Sequence, residues 1–382
     1  MKVSILAFDL SDNATGRAEL LARLLAPRYQ VTVVGPQFGP APWAPLTDSP
    51  VEHRSMAARR YPGFLADARA LLPLVDGDVL YASKPRPSSY GLALAARRRR
   101  PRPLLLDIDD WELGFFYHSG PWGRLGRALN LANPNGLPWT WLCERLVRRA
   151  DAVTVATRFL ERRFGGTLLP HVRDTEAWDP GHYDGAGAPA TLAVGRRPLV
   201  MFLGTPRTYK GVDDLVEAVG MLGGEATLAI VGVKPGSEAA RRWGARPFVR
   251  PVGEIPFDEV PRWLSAADVV AVPQRATTDT VGQSPAKLVD AMALARPIVA
   301  TRVAMIPEIL DDCGLLVSPG DVAGLARAIR DLLDDRARAA ALGRRARARC
   351  VAEYSFGAAR ARLYPLLDDV VGRYARSGPR RA

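Results

Sequence analysis

The chain has 382 residues, of which 48% are hydrophobic and 24% are charged, a balance that suits two α/β domains of ordinary size with buried cores. No apolar run approaches the ~20 residues that span a bilayer, and three widely spaced cysteines indicate neither a disulfide framework nor a metal cluster. Lysine and arginine outnumber acidic residues by 52 to 40, and the net charge of +12 favours anionic partners.

The first apolar run, residues 3–8, has only the length of a strand and is followed by acidic residues without a cleavage site. We therefore expect a cytoplasmic protein rather than a secreted one. Further strands are predicted at residues 30–34, 79–82, 104–108 and 152–155, with an amphipathic helix at 16–25. The strand runs are continuously apolar, which is typical of a parallel sheet buried on both faces.

Small residues at 184–190 interrupt the pattern and predict a linker. Strands are then predicted at 199–203, 227–231, 269–272, 298–300 and 315–317, and helices at 213–221, 321 to about 352, and 356–374. We therefore predict two doubly wound, Rossmann-like domains, 1–185 and 186–355, facing across a cleft, with a helix in 356–382 packing back on the first. Ligands of such folds bind beyond the carboxyl ends of the strands.

The strongest motif runs from residue 281 to residue 301. Ser284 is a good N-cap and Pro285 suits the first helical position, so a helix is predicted to begin here, preceded by the flexible Gly282. Its free amides and positive dipole end suit a phosphate. Asp290, a turn and a half further on, is placed to accept hydrogen bonds from ribose hydroxyls. The alternative is a capped amphipathic helix with a solvated Asp290.

A second loop, residues 204–211, directly follows a predicted strand and contains Arg207 and Lys210 between two glycines. A planar guanidinium and a flexible ammonium beside a glycine-rich turn suit a diphosphate. The alternative is a solvated turn before a helix.

Together these loops resemble family GT4, the glycosyl transferases group 1, a large group of retaining enzymes with the GT-B fold. The likeness is carried by the Lys-Gly loop at 204–211, the Ala-Asp-Val-Val strand at 266–273, the Pro-x-Lys-Leu helix and strand at 285–300, the Pro-Glu pair at 307–308 and the Gly-Leu-Leu-Val-x-Pro-Gly-Asp stretch at 314–321. The resemblance covers most of the chain, more loosely in the first half.

The resemblance implies that a pair of basic residues binds the diphosphate of the donor. Lys210 matches the lysine, whereas the usual arginine position holds Thr205, so Arg207 is expected to substitute. The family also pairs two acidic residues that hold the sugar and the ribose. Asp290 matches the second, but the first falls on Gly282, for which Asp279 is a candidate replacement.

The remaining donor contacts implied by the resemblance are mostly backbone groups. Amides of three consecutive residues should meet phosphate or sugar oxygens, a lysine lies in the helix that follows them, and an earlier turn should bracket the nucleobase. These residues are, in that order, Gly282, Gln283, Ser284, Lys287, Gly253, Glu254 and Ile255. The substrate donor is a nucleotide sugar (UDP-, GDP- or another), and no cofactor or metal is expected.

Retaining enzymes of this type react on one face of the donor, and the departing diphosphate helps to deprotonate the acceptor. No strong nucleophile is then required, and the protein contributes positioning and charge stabilisation. We expect Lys210 and Arg207 to supply most of the charge stabilisation.

The first half is expected to bind the acceptor, which could be a glycan, a lipid-linked molecule or a small molecule. Asp109 and Asp110 follow the strand at 104–108 and could orient the acceptor hydroxyl or bind the sugar. With Glu112 they could instead hold a hard cation, although GT-B enzymes are generally metal-independent. Lys84 follows another strand and could line the same cleft, or neutralise the carboxylates in a purely structural pair.

Two further acceptor or sugar candidates are Gly16 and His118. His118 lies in a segment, residues 115–141, that is rich in aromatic residues, prolines and glycines, with arginines among them. Such a segment suits an anionic membrane surface and a peripheral protein with a lipid-linked acceptor. Burial of the segment against the sheet is the alternative.

Other classes of protein are alternatives to a glycosyltransferase. A sugar-nucleotide epimerase with the GT-B fold would need acid–base carboxylates, which Gly282 does not offer, and a non-catalytic sugar-nucleotide-binding protein would also explain Gly282 and Thr205. A nucleic-acid-binding module is disfavoured because no recognition motif appears. A dehydrogenase is disfavoured because residues 12–19 contain one glycine instead of the dinucleotide fingerprint.

Overall fold

A computed structural model describes residues 1–117, 121–183, 192, 197–278 and 280–377. The chain divides into two compact units: unit 1 comprises Met1–Pro170 and Ala359–Ala382, and unit 2 comprises His171–Ala358. The chain therefore passes from unit 1 to unit 2 at Pro170, before the predicted boundary at residue 185. The predicted linker, 184–190, lies outside the described residues.

Unit 1 is built on a seven-stranded parallel sheet with the order β3-β2-β1-β4-β5-β6-β7. Its strands are β1 Lys2–Leu6, β2 Gln30–Gln37, β3 Glu52–Ala57, β4 Val79–Ser83, β5 Leu104–Ile108, β6 Ala152–Val155 and β7 Thr167–Leu168. The central strands β4 and β5 are buried throughout, as their continuous apolar runs predict. Sequence patterns missed β3, an edge strand with exposed or half-buried side chains, and β7, which has two residues.

The helices of unit 1 connect the strands of this sheet. They are α1 Gly16–Leu25, α2 Phe64–Leu71, α3 Leu92–Arg99, α4 Gly114–Tyr117, α5 Pro121–Leu129, α6 Leu137–Arg145 and α7 Arg158–Phe164. Local chemistry sets their ends. The Thr157 hydroxyl accepts a hydrogen bond from the Leu160 amide and so caps α7, and Gly165, with φ 71°, stops it.

Unit 2 has a six-stranded parallel sheet with the order β10-β9-β8-β11-β12-β13. Its strands are β8 Leu199–Leu203, β9 Thr227–Val231, β10 Val249–Val252, β11 Val269–Val272, β12 Ile298–Thr301 and β13 Leu315–Val317. Five of the six match the predicted runs. The order reverses between β8 and β11, which is the point where doubly wound sheets bind ligands.

The helices of unit 2 are α8 Val212–Gly220, α9 Glu238–Gly244, α10 Val260–Ser265, α11 Ala286–Ala293, α12 Ile306–Leu310, α13 Val322–Asp334 and α14 Arg336–Glu353. Two of them, α13 and α14, replace the single arginine-rich helix predicted from residue 321. That prediction was wrong because Asp335 leaves the helical conformation (φ −107°, ψ 82°) and its carboxylate caps α14 at the Arg338 amide.

The last helix, α15, runs over Phe356–Ser377. Within unit 1 it lies against the end of α1, because the Tyr364 hydroxyl donates to the Leu24 carbonyl at 3.0 Å and Arg360 donates to the same oxygen at 3.2 Å. Among the described residues, no helix combines the length and the apolar character that crossing a membrane requires.

Candidate active site

Three loops of unit 2 meet at the carboxyl ends of β8, β9 and β10. Gly232, which follows β9 with φ 98°, lies so close to the loop after β8 that a Cβ on it would be 2.8 Å from the Gly204 carbonyl carbon. The Gly232 amide also donates to the Gly253 carbonyl at 3.1 Å. Glycine is required at this position, because both the positive φ and the close approach exclude a side chain. The predicted nucleobase turn, with an exposed Glu254 and a half-buried Ile255, is thereby placed beside the predicted diphosphate loop.

The loop after β8 turns through a short 3-10 helix, Thr208–Lys210, into α8. Thr205 and Arg207 are exposed. Lys210 folds back, and its ammonium donates to the Thr205 carbonyl at 2.8 Å. Burial lowers the pKa of Lys210 to about 8, and the nearby Arg207 adds to the effect. The loop therefore holds positive charge that lacks a counterion among the described residues.

The start of α11 differs from the prediction. The helix begins at Ala286, and Pro285, in an extended conformation (ψ 108°), precedes it without a side-chain cap. The predicted N-cap role of Ser284 was therefore wrong, because the chain enters the helix one residue later. Ser284 is 5% exposed, and its hydroxyl has no hydrogen-bond partner among the residues that the structure describes. Gly282 is buried, and the Gln283 side chain receives a 3.4 Å contact from the Gln274 amide.

Lys287 lies in the first turn of α11, with its ammonium 3.9 Å from the centre of the Phe202 ring. Within the described part of the chain this buried nitrogen has no hydrogen-bond partner. A Cβ built on Gly204 would be 3.4 Å from the Lys287 ammonium and 3.9 Å from that of Lys210. The two lysines therefore approach the same point beside Gly204, and burial together with Lys210 holds the pKa of Lys287 well below its ordinary value.

Asp290, the predicted ribose ligand, is 4% exposed and forms an ion pair with Arg173 at 2.5 Å. Burial raises the pKa of Asp290, although Arg173 opposes the shift. Arg173 in turn lies over the rings of Trp178 and Phe257, 5.3 and 5.5 Å from their centres. Sequence reasoning missed Arg173, because 117 residues separate it from Asp290 and no motif joins them.

In unit 1, Lys84 lies directly after β4, in a left-handed backbone conformation (φ 73°), and is 2% exposed. Its ammonium donates to Asp109 at 2.7 Å, to Glu112 at 2.8 Å and to Asp110 at 3.3 Å. Arg86 donates to the other oxygen of Glu112 at 2.9 Å. The carboxylates of Asp109, Asp110 and Glu112 lie close enough together to bind a cation, and the ammonium of Lys84 is that cation.

The two aspartates of this cluster differ in exposure. Asp109 is buried, whereas the side chain of Asp110 is 26% exposed. Burial, together with the charges of Asp109 and Glu112, raises the pKa of Asp110 to about 7 against the opposing charge of Lys84. Burial alone would lower the pKa of Lys84, but the three carboxylates raise it well above its usual value. Asp110 is thus the carboxylate of this cluster that can reach solvent and change its charge near neutral pH.

Gly16 opens α1 at the same edge of the sheet, and the ring of Trp43 would lie 3.3 Å from a Cβ placed on it. The next residue, Arg17, makes two 2.8 Å hydrogen bonds to Asp107 and also binds the carbonyl of Leu169 at 2.7 Å. His118 and Asp279, the other two candidates from sequence, lie outside the described residues.

Comparisons with known proteins agree on a family. A family model described as glycosyl transferases group 1 matches residues 197–335. The GDP-mannose-dependent alpha-(1-6)-phosphatidylinositol monomannoside mannosyltransferase of Mycolicibacterium smegmatis is 32% identical over 310 residues, which cover 72% of this chain and 80% of that protein. The D-inositol 3-phosphate glycosyltransferase of Corynebacterium kroppenstedtii is 28% identical over 202 residues, covering 48% of this chain and 44% of that protein.

Solved structures share the fold. A sucrose-phosphate synthase from Thermosynechococcus elongatus superposes with a TM-score of 0.73 at 18% identity, covering 99% of this chain and 100% of the other. Anabaena HepE in complex with UDP gives a TM-score of 0.72 at 19% identity over 97% and 100% of the two chains. The predicted fold class is confirmed, and the chain belongs to the glycosyl transferases group 1, enzymes of the GT-B fold that transfer sugars.

Proposed function

We propose that this protein is a retaining glycosyltransferase whose unit 2 binds a nucleoside diphosphate sugar. The observation that carries the proposal is that the side-chain nitrogens of Lys210 and Lys287 approach one point beside Gly204, where the sheet order reverses, and that the buried nitrogen of Lys287 has no hydrogen-bond partner among the described residues. Two lysines at one point without a counterion in the described part of the chain favour the binding of an anion there. A diphosphate supplies that anion.

The chemistry expected at this site is stabilisation of the leaving diphosphate. Negative charge develops on the diphosphate as the sugar departs, and ammonium groups already in place stabilise it without reorganisation. Ser284, whose hydroxyl has no partner among the described residues, and the adjacent amides are suited to the remaining phosphate or sugar oxygens. The names of relatives support this class of donor, since one relative is GDP-mannose-dependent and one neighbour was solved with UDP.

For the acceptor we propose unit 1, with Asp110 as the group that orients the hydroxyl. Asp110 is half-buried, and its 3.3 Å contact with Lys84 is the longest that this ammonium makes. Asp109 and Glu112 hold Lys84 through shorter contacts, and their expected role is to position it. Retention follows if acceptor and leaving group react on one face of the donor sugar.

A lipid-linked acceptor at an anionic membrane surface is the acceptor class that unit 1 favours. Leu125, Leu129 and Leu131 are 50%, 70% and 56% exposed. Residues 121–149 contain five arginines and one acidic residue, Glu144, whose side chain is only 6% exposed. Exposed apolar side chains with arginines and no exposed carboxylate among them suit insertion into an anionic bilayer.

Donor binding is tested with thermal unfolding in the presence of UDP-, GDP-, ADP- and dTDP-sugars. The correct donor at a hundred times its Kd should stabilise the protein by about 2.7 kcal/mol. Proton NMR of the sugar first released by donor hydrolysis should show the anomeric configuration of the donor. An inverted product would refute the retaining assignment, and a protein that binds a nucleotide sugar without hydrolysing or transferring it would be the non-catalytic alternative.

Membrane binding is tested by flotation with vesicles containing phosphatidylglycerol. Binding should weaken as salt rises, because surface charge is screened, and the double variant L125S/L129S should bind more weakly than the wild type. Equal flotation with pure phosphatidylcholine, or no flotation at low salt, would argue for an acceptor in solution.

A further inference from the structure

The ammonium of Lys287 is a buried charge whose partner is missing from the described residues. It contacts the face of the Phe202 ring, but it makes no hydrogen bond to any of the described residues. A ring face attracts a cation only weakly compared with the hydration that burial removes. A lysine in this situation tends to lose its proton.

The charges that act on Lys287 come from two neighbouring elements. Lys210, in the turn after β8, repels it, and Asp290, three residues further along α11, attracts it. Asp290 is itself engaged by Arg173 at 2.5 Å. Arg207 acts on Lys210 in the same repulsive sense. The empty site therefore favours a neutral Lys287.

The absence of a side chain at Gly204 gives an anion access to both lysines. Gly204 has φ 119°, a conformation that side chains rarely adopt. Its missing Cβ would lie within 3.9 Å of both ammonium nitrogens. A phosphate oxygen near that point could accept hydrogen bonds from Lys210 and Lys287 together.

We propose that Lys287 is a second diphosphate ligand and that donor binding transfers one proton from solvent to its neutral amine. This inference rests on the proposed function, because it takes the anion at this site to be the donor diphosphate. The reaction is a simple protonation: the amine lone pair takes a solvent proton, and the resulting ammonium pairs with a phosphate oxygen. For one full proton taken up, the Kd should rise about tenfold per pH unit over the range in which the free amine is neutral.

The test is titration calorimetry with GDP and UDP at pH 8 in two buffers of different ionisation enthalpy. At that pH the terminal phosphate, with a second pKa near 6, is already fully ionised, so the difference in heat between buffers counts protons taken up by the protein. Lys210, whose pKa is about 8, should take up about half a proton, and Lys287 should take up most of one proton in addition. The free nucleosides guanosine and uridine should bind without proton uptake.

Two variants separate the lysines. Lys287→Met should weaken nucleoside diphosphate binding by about tenfold or more and lower the uptake to the share of Lys210. Lys287→Arg keeps a permanent charge, so it should bind the nucleotide with the same reduced uptake but with better affinity than Lys287→Met. Thermal unfolding of both variants checks that they fold.

The outcomes distinguish this inference from the proposed function. Nucleotide binding with the same proton uptake in wild type and Lys287→Met would overturn the role of Lys287 and leave the donor site intact. Failure of GDP, UDP and their sugars to bind at millimolar concentration would overturn the proposed function itself, and proton-linked binding with it.

Discussion

Each unit of this protein buries a lysine near the carboxyl edge of its sheet, and the two lysines have opposite surroundings. Lys84 in unit 1 is held by three carboxylates within 3.3 Å. Lys287 in unit 2 has no hydrogen-bond partner in the described part of the chain and faces a second lysine. The pKa of the first is raised and that of the second is lowered. A paired buried charge stabilises its own loop, whereas an unpaired one favours an anion from outside.

The largest effect is expected for Lys84→Met. The substitution leaves three carboxylates close together without their cation, and breaking a buried pair in this way costs about 3–5 kcal/mol. Urea unfolding at pH 7.5 measures the loss, with Lys234→Met, at an exposed lysine, as the control. The variant should recover stability as the pH falls, since protonated carboxyls no longer repel each other. A loss below about 1 kcal/mol would show that the Lys84 cluster is not a structural pair.

Lys210→Ala should reduce affinity for a nucleoside diphosphate by about tenfold to a hundredfold, because a charge-assisted hydrogen bond contributes about 1.5–3 kcal/mol. Calorimetric titration with the diphosphate and with the bare nucleoside gives the comparison, and Lys234→Met is again the control. Equal loss of affinity for both ligands would contradict a phosphate contact at Lys210.

Lys287→Met should make the ligand-free protein more stable by about 1 kcal/mol at pH 7, since the wild-type lysine must give up its proton when folding buries it. The folded-state pKa of Lys287 is lowered, so its protonation opposes folding, and that penalty shrinks as the pH rises toward the ordinary lysine pKa. The stability difference from wild type should therefore narrow between pH 7 and pH 10. A variant less stable than wild type at pH 7 would mean that Lys287 is compensated in the free protein.

Asp110→Asn should change stability least, by less than about 1 kcal/mol, because the side chain is 26% exposed and its bond to Lys84 is long. Its effect should appear in the pH profile. With a pKa of about 7, ionised Asp110 should produce a rise in kcat/KM through that pH, and the variant should lose this rise. Asp109→Asn serves as the comparison. If it removes the same rise in kcat/KM, the two aspartates act as one group.

The hydrophobic pattern predicted most of the sheet but not its edges. Residues 199–203, 227–231 and 269–272 match β8, β9 and β11, because strands buried on both faces are continuously apolar. β10 was missed because its four residues, Val249–Val252, include an arginine and a proline and are only partly buried. Edge strands face the core on one side or not at all, so their sequences carry a weaker signal.

The loops after β4, β5 and β8 were also located from sequence, because each follows a predicted strand. Lys210 and Asp290 stand in motifs that could be read directly. The partner of Asp290 could not, because Arg173 reaches it across a long stretch of chain. The pairing of Lys84 with the carboxylates of Asp109 and Asp110 was one of two alternatives that the sequence left open. Which charges meet depends on how the strands order themselves in the sheet, and local patterns do not contain that information.

The sequence by itself determined the fold class and the family of this protein, since burial of strands and helices depends on apolar spacing that can be counted along the chain. Only the tertiary structure decided the state of its buried charges. A lysine is a structural cation when carboxylates from other loops surround it, as at Lys84, and a ligand-binding amine when they do not, as at Lys287. The reason is that desolvation and Coulomb energy depend on distances through space, which the order of residues does not fix.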